Sequence, residues 1–237
     1  MEYFEYKNVV LDTPNSIEAE AYRKLEMNIS IASLDRKMQV IQCTSATPED
    51  GKTTTTINLA AVFAEKGKKV IILDFDLRRP KIHRAFHQVN DAGFYEFVTN
   101  HVDYHQLIVH DESSKIDLFL SGKHLSFPHI VLESSLVVHL IESLRKEYDY
   151  IIIDTPPVLS VTDPVIISKL VDGVVFIVAY NRTKKDDARE GLKILRQNNA
   201  YVIGGVLGNI DFRKSKGYRG YGYHYHYNYS EDKSDNK

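Results

Sequence analysis

A phosphate-binding loop is the first chemical signal in this sequence. The stretch SATPEDGKTTT, residues 45–55, follows an apolar run and precedes a helical pattern. In such a strand–loop–helix setting, backbone amides face phosphates, Lys52 reaches the terminal phosphates and the Thr53 hydroxyl ligates Mg²⁺. The stretch therefore predicts a site for a nucleotide and magnesium. The nucleotide-contacting residues expected here are Pro48, Glu49, Asp50, Gly51, Lys52, Thr53 and Thr54.

Two residues of this loop depart from the usual pattern. Ala46 stands where the pattern begins with glycine, and Glu49 stands where related loops often have another glycine. If position 49 requires a positive φ, glutamate there costs on the order of 1 kcal/mol. Its carboxylate must also point away from the phosphates, so we expect modest nucleotide affinity.

Three aspartates end apolar runs that read as strands. Asp74 and Asp76 alternate at the end of VIILDFD and therefore share one face, and Asp154 ends YIIID. The first two can hold Mg²⁺ and accept a proton from an attacking hydroxyl. Asp154 suits contact with the metal through water. The alternative for the first pair is a charged strand end that caps the next helix.

The C-terminal stretch GYRGYGYHYHYNYS, residues 217–230, carries six tyrosines without an apolar face. They are Tyr218, Tyr221, Tyr223, Tyr225, Tyr227 and Tyr229. Apolar periodicity stops at Asp211, so we expect residues 211–237 to form a flexible tail. A sticky low-complexity end, or weak metal binding through His224 and His226, is the alternative.

Helical patterns alternate with short β-branched runs in the rest of the chain. This alternation predicts one α/β domain over residues 1–210, with a doubly wound, mostly parallel sheet covered by helices on both faces. The predicted helices span residues 16–33, 53–66, 130–146, 163–171 and 184–198. The predicted strands are MQVIQCTS, KVIILDFD, IDLFLS, DYIIIDTP, GVVFIVAY and AYVIGGVLGN.

Composition excludes several classes of protein. The chain has 237 residues and a formal net charge of -2, so no global field favours nucleic acid or a membrane surface. Cys43 lies in an apolar run and is expected in the core. It is the single cysteine, so the chain cannot form an internal disulfide, which is typical of a cytosolic protein. No apolar stretch approaches the roughly 18 residues that span a bilayer, so we expect any membrane role to come through a partner.

With these motifs assembled, the sequence resembles the bacterial tyrosine kinases of capsule and exopolysaccharide synthesis. The Walker A loop reads SATPEDGKTT, the second acidic motif ILDFDLR ends at Arg78, and the Walker B motif reads IIIDTPP. The tyrosine-rich tail is the fourth feature of the family. The resemblance covers residue 16 to the end and implies the fold of P-loop NTPases.

The resemblance implies a function and a set of roles. ATP and Mg²⁺ bind at the loop, Lys52 and Asp76 act in catalysis, Asp74 is the base, and Thr53, Asp76 and Asp154 are metal or water ligands. By the same resemblance, Arg78 and Asn209 would contact the nucleotide, and the alternative for Asn209 is a turn residue at the end of a strand. On this resemblance, the tail tyrosines would be phosphorylated in trans within a ring of subunits, and this would regulate polysaccharide synthesis and export.

The resemblance also implies partners for the chain. In Gram-positive members the kinase and membrane parts are separate chains, so a transmembrane activator would recruit this cytoplasmic chain to the inner face of the membrane. A phosphotyrosine phosphatase would reverse the reaction. No nucleic acid is expected as a partner.

The helix over residues 16–33 is expected to make the contacts between subunits. The family's E-x-x-R-x-x-R motif reads Glu20, Arg23 and Glu26 here, so the last charge is reversed and the stripe sums to -1 +1 -1 = -1. Like charges across an interface oppose association. We therefore expect weak self-association of the isolated chain.

Two other classes of protein compete with the kinase. A partitioning or positioning ATPase has the same fold, but it carries an extra lysine early in the loop, where Thr47 stands here, and no tyrosine tail. A non-catalytic scaffold with a decayed site is suggested by Glu49 and Glu26. An assay with labelled ATP separates the three classes. Label on tyrosine indicates a kinase, release of phosphate alone indicates an ATPase, and neither result indicates a scaffold.

Overall fold

A mostly parallel sheet organises the chain. A computed structural model describes residues 7–210, and within this range the sheet has seven strands in the order β3-β4-β2-β5-β1-β6-β7. The edge strand β3 runs antiparallel to β4, and the other neighbouring strands pair in parallel. The strands are β1 Val40–Ser45, β2 Val70–Asp74, β3 Ile108–Asp111, β4 Ile116–Phe119, β5 Tyr150–Asp154, β6 Gly173–Ala179 and β7 Val202–Gly208.

Nine α-helices and one 3₁₀ turn, Tyr104–Leu107, connect these strands within residues 7–210. The helices are α1 Val9–Asp12, α2 Ile17–Ala32, α3 Lys52–Glu65, α4 Ile82–Ala85, α5 Phe94–Asn100, α6 Pro128–Leu132, α7 Ser135–Glu147, α8 Asp163–Ser168 and α9 Lys185–Gln197. Among them, none is both long and apolar enough to cross a membrane.

The core lies on both faces of the sheet. Successive strand residues point to opposite faces, and on β2 Ile72 packs with α2 and α3, whereas Ile71 and Leu73 pack with α5 and α7. Cys43 is fully buried, as predicted. The predicted α/β sheet with helices on both faces is therefore confirmed.

The element boundaries match the predictions unevenly. The Ser16 side chain caps α2 by accepting the Ala19 amide hydrogen at 3.1 Å, and the helix lies within the predicted span. The prediction of one helix over residues 130–146 is wrong, because the helical conformation is interrupted between α6 and α7. Ser134 is extended there, with φ -75° and ψ 151°. Strand β3 was not predicted, and α8 ends at Ser168 rather than at residue 171.

Candidate active site

The phosphate loop joins β1 to α3 with the backbone that such a loop requires. Gly51 is left-handed, with φ 96°, and α3 begins at the next residue without a side-chain cap. The first amides of α3 are therefore available to a ligand, and the helix dipole favours an anion there. Pro48 and Glu49 are exposed, Asp50 is buried, and Thr54 is half-buried in the first helical turn.

Glu49 has a φ of 62°, so the expected strain at this position is present. Its carboxylate forms an ion pair with Arg182, which lies in the loop after β6. The Glu49 side chain is 61% exposed and is therefore turned toward solvent and Arg182. The Arg182 guanidinium lowers the pKa of the Glu49 carboxyl, so that group stays ionised at neutral pH.

The end of β5 meets the first turn of α3 through a short hydrogen bond. The Thr53 hydroxyl donates to Oδ2 of Asp154 over 2.7 Å, and Asp154 is fully buried. Burial raises the pKa of Asp154 to about 7, although nearby Lys52 favours the ionised form. This bond uses the hydroxyl proton and leaves the Thr53 oxygen able to donate a lone pair to a cation.

Lys52 brings a positive charge to the same edge of the sheet. It is 7% exposed, and burial lowers its pKa, whereas the charges of Asp154 and Asp76 act in the opposite direction. A lysine held among carboxylates at the start of a helix can bind phosphate oxygens once these arrive. Lys52 therefore lies in the first turn of α3, at the N-terminal end of the helix that follows the loop.

Asp74 is fully buried beside the end of β5, since Asp74 and Asp154 are register partners. Its Oδ2 accepts the amide hydrogens of Lys81 and Ile82, both at 3.2 Å, so this oxygen also caps α4 as the alternative interpretation proposed. Its Oδ1 has no hydrogen-bond partner among residues 7–210. Burial, followed by the charges of Asp154 and Asp76, raises the pKa of Asp74 well above its ordinary value.

Asp76 is less buried than Asp74, with 8% of its surface exposed. Its Oδ1 accepts the amide hydrogen of Arg79 at 3.1 Å. Burial raises the pKa of Asp76, and Lys52 opposes this effect. One oxygen of Asp76 is therefore used in the turn of its own backbone, and the side chain is still accessible at the surface of the site.

These residues fit a nucleotide triphosphate and a hard divalent cation. The loop offers uncapped amides, and within the described part of the chain the buried Asp74 Oδ1 is an acceptor without a hydrogen-bond partner. The described residues contain no cluster of three or more His, Cys, Asp or Glu side chains with the geometry of a complete metal site. Magnesium bound with a nucleotide, however, takes most of its oxygens from phosphates and water, so a full protein cage is not required.

Arg78 and Asn209 lie at the margin of this site. Arg78 forms two hydrogen bonds with Asp163, at 2.9 and 3.1 Å, and Asp163 is buried at the start of α8. This guanidinium therefore ties the loop after β2 to α8, a role that no local motif had indicated. Asn209 follows β7 directly, is exposed and has a φ of 57°.

The expected charge stripe on α2 needs correction. Glu26 is 3% exposed, forms an ion pair with Lys66 and accepts a hydrogen bond from Ser30 at 2.7 Å. Arg23 donates to Glu65 over 2.8 and 3.0 Å, so its charge is also matched within the chain. Glu26 does not present an unpaired negative charge to a neighbour, and the expectation of repulsion at this position is wrong.

The six predicted phosphoacceptor tyrosines, residues 218–229, lie outside the residues that the structure describes. The acceptor role of the tail is therefore argued from its sequence alone.

Comparison with known proteins identifies the family. A model of the AAA domain family matches residues 38–200, more than half of the chain. The tyrosine-protein kinase YwqD of Bacillus subtilis (strain 168) is 34% identical over 216 residues, covering 91% of this chain and 91% of YwqD. This chain belongs to the bacterial tyrosine kinases of capsule and exopolysaccharide synthesis. The predicted family is confirmed.

Two solved structures resemble this kinase along most of its length. The chimerical protein CapA2B2 superimposes with a TM-score of 0.82 at 33% identity, covering 85% of the kinase and 89% of that chain. The kinase domain of Escherichia coli tyrosine kinase ETK gives a TM-score of 0.85 at 28% identity, covering 92% and 85%. The chain is thus a protein-tyrosine kinase with a P-loop NTPase fold, and neither the partitioning ATPase nor the scaffold is supported.

Proposed function

We propose that this kinase transfers the γ-phosphoryl group of ATP to tyrosines in the C-terminal segment of another copy. The observation that carries the proposal is the convergence of Lys52, the Thr53–Asp154 hydrogen bond and the unpartnered Asp74 oxygen at one edge of the sheet. Six tyrosines close together in residues 218–229 supply acceptors of the chemistry that the family acts on.

The loop amides and Lys52 would hold the phosphates, with Arg78 and Asn209 at the periphery of the nucleotide. Thr53, Asp76 and Asp154 would hold Mg²⁺, directly or through water. The bound ion neutralises the charge that develops on the phosphate oxygens. Most of the catalysis then comes from positioning and charge neutralisation rather than from covalent chemistry of the protein.

Asp74 is proposed as the proton acceptor. A phenol has a pKa of roughly 10, so the tyrosine must lose its proton as its oxygen forms the bond to the γ-phosphorus. The bond between that phosphorus and the bridging oxygen breaks, ADP leaves, and Asp74 takes the proton. Its raised pKa makes the carboxylate a stronger base than an exposed aspartate.

We further propose that phosphorylation regulates synthesis and export of a capsular or exopolysaccharide. The family of this chain supports that role. A transmembrane partner would recruit the kinase to the inner face of the membrane and activate it, and a phosphatase would remove the phosphates. Copies of the kinase would associate as a homo-oligomer, with contacts that do not depend on an unpaired charge at Glu26, because that carboxylate is buried and paired with Lys66.

Isotope labelling tests this function directly. Wild-type kinase is incubated with Mg·ATP and a ¹⁵N-labelled Lys52→Met chain, and mass spectrometry locates phosphate on each. We expect phosphotyrosine within residues 218–229 of the heavy chain, which can only arise between copies. Release of phosphate without tyrosine labelling would overturn the proposal in favour of an ATPase.

A truncated chain without residues 218–237 separates the tail from the catalytic machinery. We expect it to lose labelling of its own end but to label the heavy Lys52→Met chain. A truncated chain that unfolds at the same temperature as wild type, yet cannot label that partner, would show that the tail belongs to the active site instead of serving as its substrate.

A further inference from the structure

The carboxylate of Asp50 connects two loops that are distant in sequence. Asp50 is 2% exposed, and its Oδ2 accepts the amide hydrogen of Thr47 at 3.0 Å. The Thr47 hydroxyl lies 2.9 Å from the same oxygen. Oδ1 of Asp50 accepts a hydrogen bond from the Thr183 hydroxyl over 2.8 Å, and the two residues are 133 positions apart in the sequence. Asp50 therefore holds the phosphate loop from within and also ties it to the loop that follows β6.

The orientation of the Thr183 hydroxyl is set by its second partner. The amide of Ala179 can only donate, and it donates to the Thr183 oxygen at 2.9 Å. The single hydroxyl proton is thus left for the Asp50 carboxylate. This makes Asp50–Thr183 a directed, charge-assisted hydrogen bond between a buried carboxylate and a half-buried hydroxyl.

The same loop also contacts the end of β7. The Tyr180 amide donates to the Gly208 carbonyl at 2.8 Å, directly before Asn209. Residues 179–183 therefore touch the phosphate loop on one side and, on the other, the strand end where the family is expected to contact the nucleotide. A shift of this short segment would move both sides of the site.

A second link joins the two loops at the surface, where Glu49 forms its ion pair with Arg182. Exposed ion pairs are screened by solvent and contribute little to the stability of a fold. A hydrogen bond to a carboxylate contributes more than such a pair, and leaving a buried carboxylate without its partner costs more again. The main connection between the two loops is therefore the Asp50–Thr183 hydrogen bond rather than the Glu49–Arg182 ion pair.

We propose that Asp50 and Thr183 are positioning residues for nucleotide binding, which hold the phosphate loop in its binding conformation by tying it to residues 179–183. This inference rests on the proposed function, because it assumes that the loop binds the phosphates of ATP. Loop amides bind phosphate only when their backbone is correctly arranged, and Asp50 directly precedes Gly51. Loss of the connection would increase the conformational entropy that binding must remove.

The test uses full-length chains that differ only at Asp50 or Thr183. Thr183→Val removes the hydroxyl at nearly constant volume, Thr183→Ser retains it, and Asp50→Asn removes the charge while keeping the shape. Each variant is assayed for kcat and KM for ATP with the heavy Lys52→Met chain as acceptor. Calorimetry with Mg·ATP and with inorganic tripolyphosphate gives the binding constants, and thermal unfolding checks the fold.

We expect Thr183→Val and Asp50→Asn to raise KM and both dissociation constants about tenfold, the loss of one hydrogen bond to a charged group. Because the defect lies in binding, kcat should change much less than KM. Thr183→Ser should restore binding to near the wild-type value. Unchanged dissociation constants in the two damaging variants, or a fall confined to kcat, would overturn the proposal.

The outcomes distinguish this inference from the proposed function. If wild-type protein labels no tyrosine, the proposed function fails, and the binding constants for Mg·ATP and tripolyphosphate still judge the positioning role. If wild-type protein labels tyrosine and the damaging variants bind nucleotide normally, only the positioning role fails. Should Thr183→Val not fold, Asp50→Asn carries the same criteria.

Discussion

Replacing Glu26 tests whether this buried carboxylate stabilises the monomer or serves an interface. The residue lies on the inner side of α2 with 3% of its surface exposed, and it is bonded to Ser30 and paired with Lys66 at the end of α3. The Lys66 side chain is 50% exposed, so its ammonium can be hydrated when the partner is removed. The pair therefore joins α2 to the helix that carries the phosphate loop.

The expected magnitudes follow from these contacts. Breaking a fully buried ion pair costs about 3–5 kcal/mol, but the hydrated lysine reduces the penalty, so Glu26→Gln should lose about 1–2 kcal/mol, near the value of one charged hydrogen bond. Glu26→Arg puts a cation beside Lys66 and adds volume to a packed site, so the loss should be about 3–5 kcal/mol. For a domain of this size, these losses lower Tm by about 2–8 °C and 6–20 °C.

Thermal and urea unfolding followed by circular dichroism measure the effect. Glu20→Gln is the matched control on the same helix, because the Glu20 side chain is 55% exposed. It should change stability by less than about 0.5 kcal/mol. If Glu26→Gln were as mild as Glu20→Gln, or if Glu26→Arg stabilised the chain, the intramolecular role would be refuted and a partner surface would account for the carboxylate.

Three further substitutions probe the site and the fold. Lys52→Met should lower tyrosine labelling by at least about 100-fold with the thermal transition retained, since a cation beside the phosphates is lost; near-normal radiolabelling in the folded variant would contradict its role. Asp74→Asn keeps an oxygen for the Lys81 and Ile82 amides but cannot accept the proton, so kcat should fall by about 10²–10⁴ with little loss of calorimetric ATP affinity; equal losses would identify a metal ligand instead. Burial raises the pKa of Asp172, but its bonds to Arg145 and to two backbone amides outweigh this and lower it. Because the pKa is lowered, ionised Asp172 stabilises the fold at pH values above the unfolded-state pKa near 3.9, and this stabilisation is lost as the pH falls through the folded-state pKa. Asp172→Asn should therefore flatten the loss of stability below about pH 4. Parallel urea midpoints for both chains would disprove this.

Much of the candidate site could be predicted because its determinants are local. Gly51, Lys52 and Thr53 are adjacent, and a strand before them with a helix after them suffices to place them at the carboxyl edge of a parallel sheet. Asp74 and Asp154 end apolar runs, and parallel pairing then makes them register partners. The α/β fold could be predicted because apolar residues recur with the short periods of strands and helices. These patterns are required when both faces of one sheet are buried.

The errors and omissions that concern charged side chains share one physical origin, because the partners lie far apart in the sequence. The sequence predicts Glu26 at the surface, because a buried charged side chain weakens the apolar pattern of its helix. Its partner Lys66 is 40 positions away in the sequence. Arg78 meets Asp163 across 85 positions, and Asp50 meets Thr183 across 133. None of these pairs has a spacing that sequence patterns encode. The first forms only when α2 packs on α3, and the other two form only after the sheet brings the ends of β1, β2, β5 and β6 to a common edge. Motif and period thus specify which groups can bind nucleotide, whereas the long-range packing of loops determines which charges are matched inside the chain and which remain available to a ligand.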